Sequence, residues 1–161
     1  MFGDGYWFST TERDPRAVAL YGRHYSSRKN GKCLDDWLRH GFVGPYDSTV
    51  LLTTACDALF VWAVGNVERM DHQEGINCTV FRNESTVLSS DLIREAEGIA
   101  WAKWGRQRLF TFVEDEALRR HNARHLRNRP PGYCFIMAGW SPCGRTAKRG
   151  LTILEKLHLC P

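Results

Sequence analysis

The stretch from Ile76 to Trp104 constrains the fold more strongly than any other part of the chain. It begins with residues of high β propensity, passes through a polar loop after Phe81, and continues as an amphipathic helix. The apolar face of that helix consists of residues at helical spacing: Leu92, Ile93, Ala96, Ile99, Ala100 and Trp104. A loop between a strand and a helix directs main-chain N–H groups and the positive end of the helix dipole toward one point. Because the loop also contains Arg82, the stretch predicts an anion-binding site.

Further strands are predicted on both sides of this stretch. The segment Arg108–Val113 is rich in β-forming residues, so strand, helix and strand form a βαβ unit whose strands are parallel. Upstream, Val50–Thr53 and Ala58–Val64 predict two strands, and the second is continuously apolar, as in a strand covered on both faces. Near the C-terminal end, Cys143–Thr146 and Leu151–Leu157 predict a hairpin.

Helix signals and irregular segments complete the prediction. Asp14 is a suitable N-cap for a helix that begins with the proline after it. A second short helix is expected from Pro131 to Ala138, and side-chain oxygens at residues 89–91 predict the N-cap of the long helix. Met1–Arg13 is expected to be a loosely ordered terminus, and Arg28–Ser48 a long loop with one helical turn.

The composition indicates one globular domain spanning residues 1–161, with 43% hydrophobic and 25% charged residues. No apolar run approaches the roughly 20 residues that span a bilayer, and the N-terminal residues lack the pattern of a signal peptide. These features predict a cytoplasmic protein with no membrane partner. The six cysteines form no CxxC pair, which favours free thiols over a disulfide or zinc framework.

The net charge of +4 is distributed unevenly. Three basic clusters are present, at Arg23, Arg28, Lys29 and Lys32, at Arg119, Arg120, Arg124, Arg127 and Arg129, and at Arg145, Lys148 and Arg149. Clusters of this kind favour a polyanionic partner such as nucleic acid or a CoA-type phosphate, and a set of solvated loops is the alternative.

The order of these elements resembles the GNAT acyltransferase fold, with a short helix, two antiparallel strands, a βαβ unit and a short helix that precedes a hairpin. The resemblance covers roughly residues 14–157. Within it, several motifs resemble the phage Mom-type DNA-modification proteins, which alter adenine bases so that host restriction enzymes cannot cut. These motifs are HYSS at 24–27, FRNE at 81–84, LSSDLIREA at 88–96, TFVED at 111–115, and PGYCF with AGW at 131–140.

The resemblance implies a single GNAT-like domain of the α+β or α/β class, with a mixed central sheet flanked by helices. It also implies transfer of a small acyl-derived group to the exocyclic amine of adenine in double-stranded DNA, in the host cell cytoplasm. The residues expected to contact DNA are Arg28, Lys29, Lys32, Arg119, Arg120, Arg124, Arg127, Arg129, Lys148 and Arg149. Two other functions remain open: an acetyl-CoA-dependent N-acetyltransferase acting on a small-molecule or protein amine, and a non-catalytic GNAT-derived module that binds nucleic acid.

GNAT enzymes hold the pyrophosphate of acyl-CoA on a loop of the form Q/R-x-x-G-x-G/A, which aligns with residues 82–87. Arg82 is retained, but Ser85 and Val87 stand in place of glycines and bring Cβ atoms where the backbone has to approach the phosphates. Acyl-CoA is therefore an expected cofactor whose binding these replacements weaken. The cofactor loop implied by the resemblance comprises Arg82, Asn83, Ser85, Thr86, Val87, Leu88, Ser89 and Ser90.

Polar residues after the first helix and at the ends of the parallel strands are the candidate catalytic groups. They are His24, Tyr25, Ser26, Glu84, Glu114 and Asp115. Histidine titrates near neutral pH, and ligands gather at the carboxyl ends of parallel strands. A metal site for iron or manganese, formed by His24, Tyr25 and Glu84, is a further hypothesis, and a packing or surface role is the alternative for each residue. The tyrosine that many GNAT enzymes use as a general acid is Phe135 here, and Tyr133 is expected to face about 200° away from that position.

Overall fold

The stretch at residues 76–104 lies at the centre of the fold in the computed structural model, which describes residues 5–65, 72–116 and 129–159, with only the main chain for residues 28–30. In this part of the chain the strands are β1 Trp7–Thr10, β2 Asp47–Thr53, β3 Ala58–Val64, β4 Ile76–Asn83, β5 Leu109–Val113, β6 Ser141–Arg145 and β7 Thr152–Lys156. They form one mixed sheet in the order β1-β2-β3-β4-β5-β7-β6. The helices are α1 Pro15–Gly22, a 3-10 helix Tyr25–Asn30, α2 Leu34–His40, α3 Ser89–Trp104 and α4 Tyr133–Met137.

The parallel strands β4 and β5 pair over a short distance and then separate. The pairing begins where Ile76 lies opposite Leu109 and ends where Cys78 lies opposite Thr111. Beyond these residues β4 stays paired with β3, and β5 stays paired with β7. The two strands therefore diverge and leave an opening between their carboxyl ends.

A β-bulge at Thr79 lies at the point where the parallel pairing stops. Trp62 of β3 is opposite Cys78 and Val61 is opposite Val80, so Thr79 has no residue opposite it on β3. Its hydroxyl donates to the Val61 carbonyl at 3.4 Å. Because a bulge bends a strand and increases its twist, this one helps to direct the second half of β4 away from β5.

Helix α3 covers one face of the sheet with an apolar stripe and one buried acid. The stripe is Leu92, Ile93, Ala96 and Ala100. Glu97 is 2% exposed, and its carboxylate accepts hydrogen bonds from Trp140 Nε1 and Lys156 Nζ, both at 2.6 Å. A buried charge needs partners of this kind, and here they connect α3 to the C-terminal hairpin.

Helices α1 and α2 cover the other face. Tyr21 of α1 stacks on Phe42 with ring centroids 4.4 Å apart and meets Trp37 of α2 edge-on at 4.8 Å. The Asp14 carboxylate accepts the Arg16 N–H at 2.9 Å, so the predicted N-cap of α1 is confirmed. The 3-10 helix that follows α1 reaches the opening between β4 and β5.

The structure confirms the mixed sheet, the parallel βαβ unit and the C-terminal hairpin. Three local predictions are wrong. Residues 7–10 of the expected loose terminus form β1, which pairs with β2 and is anchored where Trp7 Nε1 donates to the Leu92 carbonyl at 2.9 Å. The expected long loop, Arg28–Ser48, contains α2 and the first residues of β2. The N-cap of α3 is Leu88, which makes no side-chain cap hydrogen bond.

Across the three described segments, no helix is both long enough and apolar enough to cross a membrane.

Candidate functional site

The opening between β4 and β5 is a cavity of about 380 Å³, termed the cleft below. Residues 78–81 of β4 and 111–113 of β5 form its walls, and residues 132–135 at the start of α4 also line it. Its volume lies at the lower end of the range of small-molecule pockets, about 300–1,000 Å³. Because the walls belong to diverging strands of one sheet, the cleft is fixed by the fold.

Main-chain groups contribute to the walls of the cleft. Residues 80–83 of β4 and 112–113 of β5 pair with β3 and β7 on their outer sides. In an antiparallel ladder, every second residue directs its N–H and C=O away from the strand with which it pairs. The remaining groups therefore face the cleft, where an extended ligand with amide groups can bond to them as a strand would.

His24 and Tyr25 line the cleft side by side, with ring centroids 4.4 Å apart. His24 is 7% exposed, and its Nδ1 accepts the Ser26 N–H at 3.2 Å and lies 2.7 Å from Ser26 Oγ. Nδ1 is therefore an acceptor, and the neutral ring carries its proton on Nε2. Burial raises the pKa of Tyr25 to about 12, so its phenol is protonated at neutral pH.

A second cavity, of about 300 Å³, adjoins the cleft and is termed the side cavity. Tyr25, Thr79 and Phe112 line both spaces. The rest of the side cavity is lined by Tyr21, Ser26, Glu114, Arg149 and Leu151. The Glu114 carboxylate lies 3.6 Å from Arg149 Nη2, and 29% of the Glu114 side chain is exposed. The structure thus brings four of the predicted catalytic residues, His24, Tyr25, Ser26 and Glu114, to two adjoining cavities.

The other two predicted acids do not line either cavity. Asp115 accepts a hydrogen bond from Arg145 at 3.3 Å. Glu84 accepts hydrogen bonds from Arg23 Nε at 2.8 Å and Arg82 Nε at 2.6 Å. The hydrogen bond from Arg23 lowers the pKa of Glu84 most, and with that from Arg82 brings it to about 2. An acid that is ionised and bonded in this way is a poor base, so these contacts favour a structural role for Glu84.

The β4–α3 loop (residues 84–88) is closed by its own side chains. Asn83 Oδ1 accepts the Ser85 N–H at 2.9 Å, and Ser85 Oγ accepts the Val87 N–H at 3.2 Å. Asn83 Nδ2 donates to the Val87 carbonyl at 2.8 Å and to Ser89 Oγ at 3.0 Å. The Glu84 N–H donates to a carbonyl of the β2–β3 turn at 2.8 Å. Three main-chain donors of the β4–α3 loop, two of them in the predicted cofactor loop, are therefore bonded within the protein.

The eight residues of that predicted loop face different surroundings. Asn83 and Ser89 line the cleft. Thr86 and Leu88 are exposed, and Ser90 belongs to the first turn of α3. Arg82 Nη1 donates to the Arg23 carbonyl at 2.7 Å, in addition to its bond with Glu84.

Two thiols that the sequence did not single out line the cleft. Burial raises the pKa of Cys134 to about 11 and raises that of Cys78 well above its ordinary value. Thr111 Oγ1 donates to the Cys78 carbonyl at 2.9 Å and fixes this wall. The two cysteines are protonated at neutral pH and serve as apolar lining.

Tyr133 lines the cleft together with Phe135, contrary to the expected opposite orientation. Four consecutive residues at the start of α4 line the cleft. The N-terminal end of this five-residue helix therefore faces the cleft, and not one of the sides of the helix. Phe135 packs edge-on against Phe81 at 5.9 Å, and the Arg129 guanidinium lies 4.9 Å from the centre of the Tyr133 ring. Helical periodicity misses such residues, since it describes the sides of a helix.

The predicted metal site receives no support. Within residues 5–65, 72–116 and 129–159 there is no group of three or more His, Cys, Asp or Glu side chains that could hold a metal ion. His24 Nδ1 is bonded to Ser26, and the Glu84 carboxylate is bonded to two arginines. Iron or manganese therefore has no ligand set among these residues.

The residues predicted to contact DNA are only partly described. Arg119, Arg120, Arg124 and Arg127 lie outside the described residues, as do the side chains of Arg28 and Lys29. Lys32, Lys148 and Arg149 are exposed, and Arg129 lines the cleft.

The sequence matches no protein-family model and no curated protein. The fold, however, is similar to that of solved acetyltransferases. Aminoglycoside acetyltransferase AAC(6')-Ib, in complex with coenzyme A and kanamycin, has a TM-score of 0.61 at 14% identity, over 95% of this chain and 94% of that chain. A chimera of the spermidine N-acetyltransferase SpeG from Vibrio cholerae and hSSAT has a TM-score of 0.58 at 11% identity, over 94% of this chain and 93% of that chain. The chain therefore has the GNAT acetyltransferase fold, as predicted, whereas the Mom-type resemblance stays a prediction.

Proposed function

We propose that the protein is an N-acyltransferase that takes an acyl group from a coenzyme A thioester in the cleft and delivers it to an amine in the side cavity. The observation that carries this proposal is the junction of the two cavities at Tyr25, Thr79 and Phe112. Holding donor and acceptor in contact supplies a large part of the rate enhancement of a transferase. Two cavities with a common wall provide that arrangement.

The cleft fits the pantetheine arm of coenzyme A, an extended chain with two amides and a terminal thiol. Main-chain groups of residues 79–83 and 112–113 would hold the amides, and Cys78, Cys134 and Phe135 would pack against the methylene groups. A bound acyl-CoA supplies a carbonyl that is activated toward amines. The Tyr25 phenol remains protonated and is a hydrogen-bond donor at the junction. His24 packs against that ring and holds it in place.

The side cavity suits an acceptor that is a cation before it reacts. Alkyl amines are protonated at neutral pH, and the Glu114 carboxylate attracts them. The ammonium group loses one proton to solvent, the neutral amine then attacks the thioester carbonyl, and its second proton leaves with coenzyme A as the thiol. The Glu114 side chain is 29% exposed and its carboxylate lies 3.6 Å from Arg149 Nη2, so an ammonium group can approach this carboxylate from the side cavity. The rings of Tyr21, Tyr25 and Phe112 add cation–π contacts.

Incubation of the full chain with acetyl-CoA and a panel of amines tests this proposal. The panel contains polyamines, aminoglycosides and amino acids. Thiol release is followed by absorbance and the products are identified by mass spectrometry. We expect at least one acetylated amine. Hydrolysis of the thioester without an acetylated product, or no thiol release with any amine, contradicts the proposal.

Modification of adenine in DNA is a second candidate, favoured by basic side chains beside the side cavity. Lys148 and Arg149 are exposed near the β6–β7 turn, and Arg149 also lines the side cavity. Such side chains bind phosphates, and the rings of Tyr21, Tyr25 and Phe112 are suited to stack on a base that has left the duplex.

Co-expression with a plasmid, followed by mass spectrometry of its nucleosides, separates the two candidates. A modified adenine favours action on DNA. Unmodified adenine in the presence of soluble protein that acetylates a small amine rules it out. DNA binding without acylation of any amine would instead favour a non-catalytic nucleic-acid-binding module.

A further inference from the structure

We infer that the β4–α3 loop of this chain does not bind the pyrophosphate of the coenzyme A donor, so that recognition of the donor depends on the cleft assigned to it above. The inference rests on the proposed acyl transfer and specifies how that reaction selects its donor. It departs from the phosphate-binding role that the GNAT resemblance implies for this loop.

The first reason is that three of the five main-chain donors of the loop, those of Glu84, Ser85 and Val87, already have acceptors. Ser85 N–H and Val87 N–H donate to the side-chain oxygens of Asn83 and Ser85. Ser85 Oγ also donates to Asn83 Oδ1 at 2.6 Å, which closes the network. These oxygens take the places that phosphate oxygens would need in order to bond to the same amides. A pyrophosphate would have to replace protein hydrogen bonds with its own, so its net gain would be small.

The second reason is the charge balance beside the loop. Arg82, the one cationic residue retained from the family pattern, bonds to the Glu84 carboxylate and to the Arg23 carbonyl. Arg23 binds the same carboxylate through Nε and Nη2. Glu84 is ionised at neutral pH, so a pyrophosphate here would face a negative charge and compete with it for both arginines.

The cleft, unlike the loop, offers main-chain groups and apolar side chains that a ligand can contact. Within the part of the chain that the structure describes, β4 and β5 stop pairing with one another after Cys78 and Thr111, so their facing edges line the cleft. Its apolar lining includes Cys78, Cys134 and Phe135. Hydrogen bonds to backbone edges and burial of methylene groups are the interactions that a pantetheine arm can make, and neither depends on phosphate.

Calorimetric titration of the full chain with coenzyme A, reduced pantetheine and adenosine 3′,5′-bisphosphate tests the inference. We expect the dissociation constants of coenzyme A and pantetheine to agree within about tenfold, and we expect the bisphosphate not to displace pantetheine. A coenzyme A affinity more than about tenfold above that of pantetheine would overturn the inference and leave the proposed acyl transfer standing. Failure of both coenzyme A and pantetheine to bind would overturn both.

Thr86→Glu provides an independent check, with Thr86→Gln as its matched control. Thr86 is exposed in the middle of the loop, so both variants should fold. The inference predicts that each variant changes the affinity for either ligand by less than about threefold, because charges in solvent are screened over about 10 Å. The contrary result is that Thr86→Glu weakens coenzyme A binding by more than about tenfold, while its affinity for pantetheine and the affinity of Thr86→Gln for coenzyme A stay unchanged. The pyrophosphate would then lie on the loop, and the inference would be wrong.

Discussion

Arg23 binds Glu84 through two parallel hydrogen bonds, from Nε to Oε1 at 2.8 Å and from Nη2 to Oε2 at 2.9 Å. The pair joins the end of α1 to the β4–α3 loop, and Arg82 donates to the same carboxylate at 2.6 Å. These contacts lower the pKa of Glu84 from 4.5 to about 2. The contact between α1 and the β4–α3 loop therefore depends on the ionisation of one acid.

The first prediction concerns the pH dependence of that link. Because the folded-state pKa of Glu84 lies below its unfolded value, its stabilising effect is complete above about pH 4.5 and is lost as the pH falls toward 2. Glu84→Gln should therefore lower the free energy of unfolding by about 1 kcal/mol at pH 7 and by much less near pH 2. Urea unfolding at a series of pH values measures the difference. A difference that is as large at pH 2 as at pH 7 would show that the ionised Glu84 carboxylate is not its source. In the Arg23→Gln variant, the folded-state pKa of Glu84 should lie closer to 4.5, so the stabilising effect should be lost over a smaller pH range.

The second prediction concerns the buried acid of α3. Glu97→Ala leaves the Lys156 ammonium without its buried partner, so it should cost about 3–5 kcal/mol of unfolding free energy. Asp91→Ala removes the exposed ion pair with Arg94 on the same helix and should cost about 1 kcal/mol or less. Thermal and urea unfolding of the two variants measure the contrast. Equal effects would mean that the pair of Glu97 and Lys156 contributes no more than a surface ion pair.

The third prediction concerns Tyr25. Tyr25→Phe keeps the ring at the junction of the cavities and removes the donor, so kcat for acyl transfer should fall about 100-fold with little change in melting temperature. Tyr21→Phe is the matched control, because Tyr21 lines only the side cavity of the two. Since the pKa of Tyr25 is about 12, the wild-type rate should show no loss from phenol ionisation between pH 7 and 10. A full rate in the Tyr25→Phe enzyme would remove Tyr25 from the mechanism.

The fourth prediction concerns the thiols of the cleft. Cys33 and Cys143 are exposed, whereas Cys78 is buried and the pKa of Cys134 is raised to about 11. Alkylation by iodoacetamide at pH 8 should therefore modify Cys33 and Cys143 before Cys78 and Cys134, because the thiolate is the reactive form. Peptide mass spectrometry over time gives the order. Early labelling of Cys134 would show that the cleft is more open to solvent than its walls indicate.

The parts of the fold that follow from local pattern were predictable. The helical spacing of apolar residues in α3, the β-rich segments before and after it, and the turn residues of the C-terminal hairpin all belong to single segments. Each therefore carries its own signal, and together they yield the parallel βαβ unit. Helix α2 was missed although Trp37 lies on its buried face. Gly31 and Gly41 were interpreted as loop residues, but with φ of 61° and 76° they end the 3-10 helix and α2.

The parts that depend on distant contacts were not predictable. β1 exists because Trp7 and its neighbours pair with β2, about forty residues away along the chain. The bulge at Thr79 results from its register against β3, and the cleft results from where β4 and β5 stop pairing. The bonds between Asn83, Ser85 and Val87 form only when the loop is folded. The sequence therefore showed that the two glycines are missing, but not that side-chain oxygens accept from the N–H groups of the loop.

The central claim is that the opening between β4 and β5 holds the donor. Amide chemical shifts of isotope-labelled protein during titration with coenzyme A test it most directly. We predict saturable shifts at residues 79–83 of β4 and 111–113 of β5, with smaller shifts at residues 84–88. Shifts that avoid both strands, or the absence of any saturable shift, would contradict the claim.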